Sequence, residues 1–204
     1  MKTIIFSFIL ILLAQGCRKS NDSSNVASNE IFPGKVGDTW RYLVYDTTTG
    51  GGSSQYYVDV SIISDTTLAG GIQATMWKYQ YPNFADTSFV ILKGDTIRYL
   101  SNTNNLSLIK QYVIPFSVNS SLPNPLCDHS QVRVSERSGV AVGQTYFLNS
   151  FHLTSQSGCP DFSFVEDEWM VNNIGLVQSY FNPSGSFIVA THITKWLLMR
   201  YNLK

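Results

Sequence analysis

The chain has 204 residues, of which 44% are hydrophobic, and its 14 basic residues balance 14 acidic ones. This length suffices for a single domain with a sizeable core. The even charge, without a basic stripe, argues against a nucleic-acid partner. Only 14% of the residues are charged, against about 25% in typical globular domains.

The first 16 residues have the pattern of a bacterial secretion signal. Met1-Lys2 is a basic start, and Ile4 to Leu13 is an apolar run. A membrane-spanning helix needs about 20 apolar residues, so this run is typical of a cleaved signal peptide. The segment Ala14-Gln15-Gly16-Cys17 resembles a lipobox, although Gln15 occupies a position that is usually small. We therefore predict lipid, including palmitate, on Cys17. The alternative is a secreted protein that is cut at the same place without lipid.

The three cysteines, Cys17, Cys127 and Cys159, fit an exported protein. If Cys17 carries lipid, the other two can form a disulfide in an oxidising compartment. That bridge would close a loop of about 33 residues and stabilise the fold by roughly 3–4 kcal/mol in the loop-entropy picture. The alternative is a metal site that adds Asp128 and His129, but it lacks a recognised zinc spacing. We therefore predict no metal and no other cofactor.

The disulfide has a direct test. We expect the unlipidated protein from Arg18 onward to show no free thiol when it is denatured without reductant. After reduction, Cys127 and Cys159 should both react with a thiol reagent. Two free thiols before reduction would contradict the bridge.

Residues 18–30 are predicted to form a flexible tether. They are polar and rich in Ser and Asn, and Val26 is their only large apolar residue, so they cannot bury enough surface to fold. Arg18 and Lys19 would lie against anionic headgroups, at about 1 kcal/mol per charge. The predicted organisation is a signal peptide over 1–16, the lipidated cysteine and tether over 17–30, and one folded domain over 31–204.

The folded part is predicted to be all-β. Runs rich in β-branched and aromatic residues are separated by Gly, Pro and Asn turns. The predicted strands are Trp40–Tyr45, Tyr56–Ile62, Ile72–Tyr81, Ser88–Lys93, Ile97–Leu100, Leu108–Val118, Val132–Ser135, Gln144–Leu153, Phe162–Val171, Leu176–Phe181, Phe187–Thr194 and Lys195–Tyr201. Pro115 predicts an edge strand or a bulge. The expected architecture is one antiparallel domain, either a curved sheet or half-barrel, or a sandwich.

A short motif occurs twice. Val36-Gly37-Asp38-Thr39-Trp40 is echoed by Val142-Gly143-Gln144-Thr145-Tyr146. In each, Gly allows a bend that other residues adopt only at a cost, and an aromatic residue then begins a strand. We expect both aromatics to close an end of the core, and the repeat suggests two similar halves of a sheet.

The segment Phe32-Pro33-Gly34-Lys35-Val36-Gly37-Asp38-Thr39-Trp40-Arg41-Tyr42 resembles the opening "FPLKVGNTWxY" of Bacteroidetes lipoproteins of unknown function. The stretch from Trp169 to Gln178 resembles their later "W…GlVk" motif. Gly34 replaces the common Leu, and Tyr146 replaces a second Trp. The resemblance implies an all-β fold of the half-barrel type. In these bacteria, an acidic run after the lipidated Cys marks display on the cell surface. This chain has no such run, and its absence favours an outer-membrane lipoprotein that faces the periplasm.

Few residues are candidates for catalysis. The chain has no G-x-S-x-G elbow, and His152 and His192 lie in predicted strands, where partly exposed histidines are common. Glu166 and Glu168 share a strand face at a spacing that a glycosidase could use. We interpret Glu166-Asp167-Glu168 instead as a solvated edge that discourages aggregation. The sequence therefore favours a protein that is not an enzyme.

Trp77, Tyr79 and Tyr81 alternate along one predicted strand. On an inner face they would be core residues. On an accessible face they could stack on sugars or hold an acyl chain, which makes them candidate ligand-binding residues. The leading hypothesis is a non-enzymatic envelope lipoprotein, anchored to the membrane by its lipid, that binds a hydrophobic molecule or a partner protein. The alternatives are a carbohydrate-binding accessory lipoprotein and a hydrolase.

Overall fold

The computed structural model describes residues 32–48, 50–101, 106–123, 131–159, 162–184 and 192–204, without the side chains of 122, 123, 131, 156–159, 162, 163 and 184. The predicted signal peptide, the tether, Cys17 and Cys127 lie outside the described residues, and so does the side chain of Cys159. Among the described residues, no helix has the length and apolarity needed to cross a membrane.

The regular structure of the described residues consists of β-strands. In chain order they are β1 (Thr39–Thr48), β2 (Ser53–Leu68), β3 (Ile72–Gln80), β4 (Ala85–Lys93), β5 (Thr96–Ser101), β6 (Leu108–Val113), β7 (Ser121–Pro123), β8 (Gln131–Val142), β9 (Thr145–Cys159), β10 (Phe162–Val171), β11 (Gly175–Ser184) and β12 (His192–Asn202). The all-β prediction is therefore confirmed.

All twelve strands belong to one antiparallel sheet, in the order β6-β5-β4-β3-β2-β1-β12-β11-β10-β9-β8-β7. The sheet consists of two six-stranded meanders, β1–β6 and β7–β12, joined where β1 pairs with β12. The sheet is strongly curved. Lys110 on β6 contacts Glu168 on β10, although seven strands lie between β6 and β10 in the order of the sheet. The curved-sheet prediction is confirmed and the sandwich alternative is wrong, since the core lies in the hollow of a single open sheet.

Several strands are longer than the sequence predicts, for example β2 and β8, and three further differences concern β7, β12 and β6. The structure adds β7, a three-residue strand that pairs with β8. β12 runs without a break through Thr194 and Lys195, where we expected one strand to end and another to begin; residues 187–191 of the predicted strand Phe187–Thr194 lie outside the described residues. β6 ends at Val113, two residues before Pro115, and is the edge strand at one end of the sheet. The edge that Pro115 predicted is present, and the strand stops short of the proline because proline cannot donate a ladder hydrogen bond.

The two copies of the repeated motif occupy different environments. Gly37 and Gly143 both have positive φ, +97° and +60°. Trp40 is 3% exposed and belongs to the core, as expected, whereas Tyr146 is 61% exposed. The expectation for Tyr146 is wrong because Tyr146 follows the turn of the β8–β9 hairpin and its ring lies over Gly139, where a Cβ atom would collide with its hydroxyl. The sheet has two halves, as expected, but the turns at Gly37 and Gly143 do not occupy equivalent positions in the two halves.

Asp38 connects the segment before β1 to Lys204 by hydrogen bonds. Its buried carboxylate accepts hydrogen bonds from the backbone N–H of Lys35 at 2.9 Å and of Lys204 at 2.8 Å. The backbone of Gly37 and Asp38 is hydrogen-bonded to β2. The Gly37 N–H donates to the Ile62 carbonyl, and the Ile62 N–H donates to the Asp38 carbonyl. The motif residue therefore holds three separate segments together.

We expect Asp38→Ala to lower the free energy of unfolding by about 2 kcal/mol, because two backbone donors lose their charged acceptor. Urea denaturation followed by intrinsic fluorescence would measure the change. Asp65→Ala is the matched control, since Asp65 is exposed near the end of β2 and its loss should stay within about 0.5 kcal/mol. Equal effects of the two substitutions would contradict this role for Asp38.

Candidate functional site

The hollow of the sheet contains a cavity of about 530 Å³. Strands β1 to β6 and β10 to β12 all contribute residues to its wall, so the cavity exists only because the sheet is curved. Aromatic residues make up much of the wall, and its charged residues lie on β4, β6 and β10. This combination, an apolar hollow with a few polar groups, is typical of small-molecule binding sites.

A chain of aromatic contacts forms one side of the cavity. Trp77 stacks on Trp40 with ring centroids 5.1 Å apart and on Phe32 at 6.0 Å. Tyr99 meets the edge of Trp77 at 5.8 Å, and Tyr112 meets Tyr99 at 6.0 Å. Edge-to-face and offset pairs of this kind add to the apolar burial of the rings. This side of the wall is thus a continuous aromatic surface.

The three aromatic residues predicted on β3 and just beyond it all face the cavity. Trp77 is 6% exposed and is largely a core residue. Tyr79 and Tyr81 are less buried by their neighbours, and Tyr81 stacks on Phe84 at 4.4 Å and meets the edge of Trp196 at 6.3 Å. Their role in ligand binding stays a prediction. Because these three side chains line the hollow of the sheet, a ligand in the cavity would contact them.

An ionic group spans the cavity from β6 to β10. The Lys110 ammonium donates to Glu166 Oε1 at 2.6 Å and to Glu168 Oε1 at 2.8 Å. The Tyr112 hydroxyl donates to Glu168, at 2.9 Å from Oε2 and 3.0 Å from Oε1. These contacts hold the edge strand β6 against the opposite half of the sheet. We call these four residues the ionic bridge.

Burial and mutual charge shift the pKa values within the ionic bridge. Burial raises the pKa of Glu166, the Glu168 charge raises it further, and Lys110 opposes both. Burial alone would lower the pKa of Lys110, but the charges of Glu168 and Glu166 outweigh it and raise that pKa. Burial, followed by the Glu168 charge, also raises the pKa of Tyr112 well above its usual value. One ammonium therefore faces two buried carboxyl groups.

Our interpretation of Glu166-Asp167-Glu168 as a solvated edge is wrong. Glu168 is 4% exposed, since β10 lies inside the sheet and β6 covers its inner face. A sequence signal was available, because Glu166 and Glu168 alternate with the same period as the buried Phe164 and Met170. Nothing in the sequence pointed to Lys110, which lies 56 residues from Glu166.

The two described histidines lie outside the cavity wall. His152 Nε2 is 2.9 Å from Asp167 Oδ1, and the His152 ring stacks on Trp169 at 4.5 Å. His192 Nδ1 is 2.8 Å from Asp46 Oδ1. Each histidine therefore has a carboxylate neighbour but does not line the cavity. Within the described part of the chain, no group of three His, Cys, Asp or Glu residues could hold a metal ion, and His129 lies outside it.

The two segments that resemble motifs of Bacteroidetes lipoproteins contact each other at one end of the cavity. Trp40 Nε1–H donates to the Ile174 carbonyl at 2.8 Å, and the Tyr42 hydroxyl donates to the Leu176 carbonyl at 2.8 Å. A Cβ atom at Gly175, whose φ is +88°, would lie 3.3 Å from the Pro33 ring. The sequence motifs are therefore the two halves of one packing contact.

The fold and the cavity define an open, curved antiparallel sheet with a ligand-sized hollow. It is similar to the solved structure of a Bacteroides fragilis protein described as exported and of YmcC-like fold, with a TM-score of 0.50 and 11% identity over 84% of this chain and 98% of that one. A lipoprotein from Parabacteroides distasonis is similar at a TM-score of 0.40 and 12% identity, over 84% and 97%. The sequence matches no family model and no curated protein. The first likeness shows a shared fold.

Proposed function

We propose that the protein is a non-enzymatic lipoprotein of the cell envelope that binds a hydrophobic small molecule in the hollow of its sheet. The lipobox-like segment ending at Cys17 supports the location, and the protein of similar fold from B. fragilis is described as exported. The observation that carries the binding proposal is the aromatic cavity of about 530 Å³. Ligand sites of this kind usually measure about 300–1,000 Å³.

The position of the aromatic residues favours a cavity ligand over a flat glycan platform. A carbohydrate-binding strip would present Trp77, Tyr79 and Tyr81 outward, whereas these residues face the hollow. Apolar surface that a ligand buries there contributes about 25 cal/mol per Å², so binding does not depend on many hydrogen bonds. Phe84, 60% exposed and stacked on Tyr81, lies outside the cavity wall.

The proposal is tested with the protein from Arg18 onward, exported without its lipid. Native mass spectrometry would detect a co-purified ligand, and N-phenyl-1-naphthylamine, a hydrophobic fluorescent probe, would report the cavity after delipidation. We expect the probe to bind the wild-type protein with enhanced emission. Failure of the folded, delipidated protein to bind it would overturn the proposal.

A cavity-filling substitution shows where the probe binds. Thr194→Phe places a ring in the cavity wall and should weaken probe binding at least about tenfold, or about 1.4 kcal/mol. Thr67→Phe is the control on the exposed end of β2 and should leave binding unchanged. Equal affinity of the two variants would place the probe elsewhere and contradict the cavity proposal. Circular dichroism would establish that both variants fold.

A further inference from the structure

The charges of the cavity wall differ from those expected for a fatty-acid site. Its acidic members are Asp86, Glu166 and Glu168, and its one basic member is Lys110. Lys110 is already bonded to both glutamates. A ligand carboxylate or phosphate would therefore enter a hollow in which the fixed negative charges exceed the positive one.

We propose that the ligand is an amphiphile with a cationic, ammonium-type head, whose apolar part lies on the aromatic wall and whose head lies beside Glu166 and Glu168. This inference rests on the proposed function, and it adds the chemical class of the ligand.

The protein's own Lys110 shows that this wall accommodates an ammonium group. Its Nζ lies 2.6 Å from Glu166, 2.8 Å from Glu168 and 5.8 Å from the centroid of the Tyr112 ring. An aromatic face within about 6 Å of a cation is an attractive arrangement. Tyr79 and Tyr99 also line the hollow, and the Tyr99 ring lies 6.0 Å from that of Tyr112, so a second cation would find both carboxylate oxygens and aromatic rings there.

The protonation of Glu166 is linked to the charge of the ligand. Its pKa is raised by burial and by the neighbouring Glu168 and Asp167, and it is lowered by Lys110. The other titratable groups of the wall are Asp86 and the tyrosines Tyr42, Tyr79, Tyr81, Tyr99 and Tyr112. A cation favours the ionised carboxylate, so binding should release protons and strengthen as the pH rises through the pKa of Glu166. A neutral amphiphile should show no such dependence on Glu166.

The experiment compares three amphiphiles with the same twelve-carbon chain below their micellar concentrations: dodecyltrimethylammonium, dodecyl maltoside and dodecanoate. Each competes with N-phenyl-1-naphthylamine for the lipid-free wild-type protein. We expect the ammonium compound to bind at least about tenfold more tightly than dodecanoate, which corresponds to about 1.4 kcal/mol. Calorimetry in buffers of different ionisation enthalpy would measure the proton release.

Glu166→Gln tests the charge directly. It should weaken binding of dodecyltrimethylammonium about tenfold and leave dodecyl maltoside unchanged, whereas Glu136→Gln, at an exposed glutamate on β8, should change neither. If dodecanoate binds as tightly as the ammonium compound, or Glu166→Gln leaves that compound's affinity intact, the cationic-head inference is overturned while the cavity proposal stands. If neither the probe nor any amphiphile binds, the proposed function itself fails.

Discussion

Replacing Lys110 by Met should destabilise the fold by about 3–5 kcal/mol near neutral pH, because removing one partner of a buried ionic group leaves its counter-charges uncompensated. Glu168 would keep the Tyr112 hydroxyl as a donor, whereas Glu166 would lose the Lys110 ammonium, its donor among the described contacts. The same contact holds β6 against β10, so its loss also frees an edge strand. Chemical denaturation at several pH values would measure the effect.

The destabilisation should depend on pH in a defined direction. The pKa of Glu166 is already raised in the folded state, and without the ammonium it rises further. A carboxyl group whose folded-state pKa exceeds its unfolded value binds protons more tightly when folded, so stability falls as the pH rises through that range. The cost of Lys110→Met should therefore be largest near pH 8 and smaller near about pH 4.5, close to the ordinary pKa of a glutamate.

Two further variants make the Lys110 prediction specific. Lys93→Met removes an exposed lysine at the end of β4 and should cost less than about 0.5 kcal/mol. Lys110→Met combined with Glu166→Gln and Glu168→Gln removes the buried charges together and should recover much of the lost stability. A pH-independent cost, or no recovery in the triple variant, would show that Lys110 acts through packing alone.

Replacing Trp40 by Ala should lower the free energy of unfolding by about 3–5 kcal/mol, the usual cost of deleting a large buried aromatic residue. Trp40 stacks on Trp77 and donates its indole N–H to the Ile174 carbonyl, 134 residues away. The substitution thus opens a gap in the aromatic wall and releases the β10–β11 turn. Urea denaturation followed by circular dichroism would measure the loss.

A graded series separates the two contributions of Trp40. Trp40→Phe keeps a ring against Trp77 but leaves the Ile174 carbonyl without the indole donor, so it should cost about 1–2 kcal/mol. Tyr146→Ala, at the equivalent position of the repeated motif, removes a 61% exposed ring and should stay within about 0.5 kcal/mol. A Tyr146 effect as large as that of Trp40 would contradict the difference between the two turns.

Much of the local structure follows from local sequence rules. The period-2 alternation of apolar and aromatic residues predicts β1 to β6 and β8 to β12 in outline, and Gly37 and Gly143 predict turns that have positive φ. Ser121–Pro123 was missed because three residues carry too little periodicity to indicate a strand. The break expected at Thr194 was wrong because both flanking segments pair in one continuous strand with β1.

The candidate site could be predicted only in part. The alternation of Trp77, Tyr79 and Tyr81 shows that they share a face of the sheet, but alternation alone does not say which face is concave. The acidic residues of β10 were identified as a cluster and assigned to the wrong environment. Lys110 and Tyr112 carried no signal at all, since they enter the site only when an edge strand meets the opposite half of the sheet.

The sequence by itself determined the β class and the turn positions. It left a curved sheet and a sandwich open, and it predicts export and lipidation at Cys17. These properties depend on side-chain period, on backbone freedom at glycine and on the order of residues in the first segment, all of which are local. Only the tertiary structure decided that the sheet is single and open, that its hollow holds an aromatic cavity, and that Lys110 meets Glu166 and Glu168. The curved sheet brings together residues that are 56 to 134 positions apart in the sequence. No local sequence pattern predicts contacts between residues so far apart.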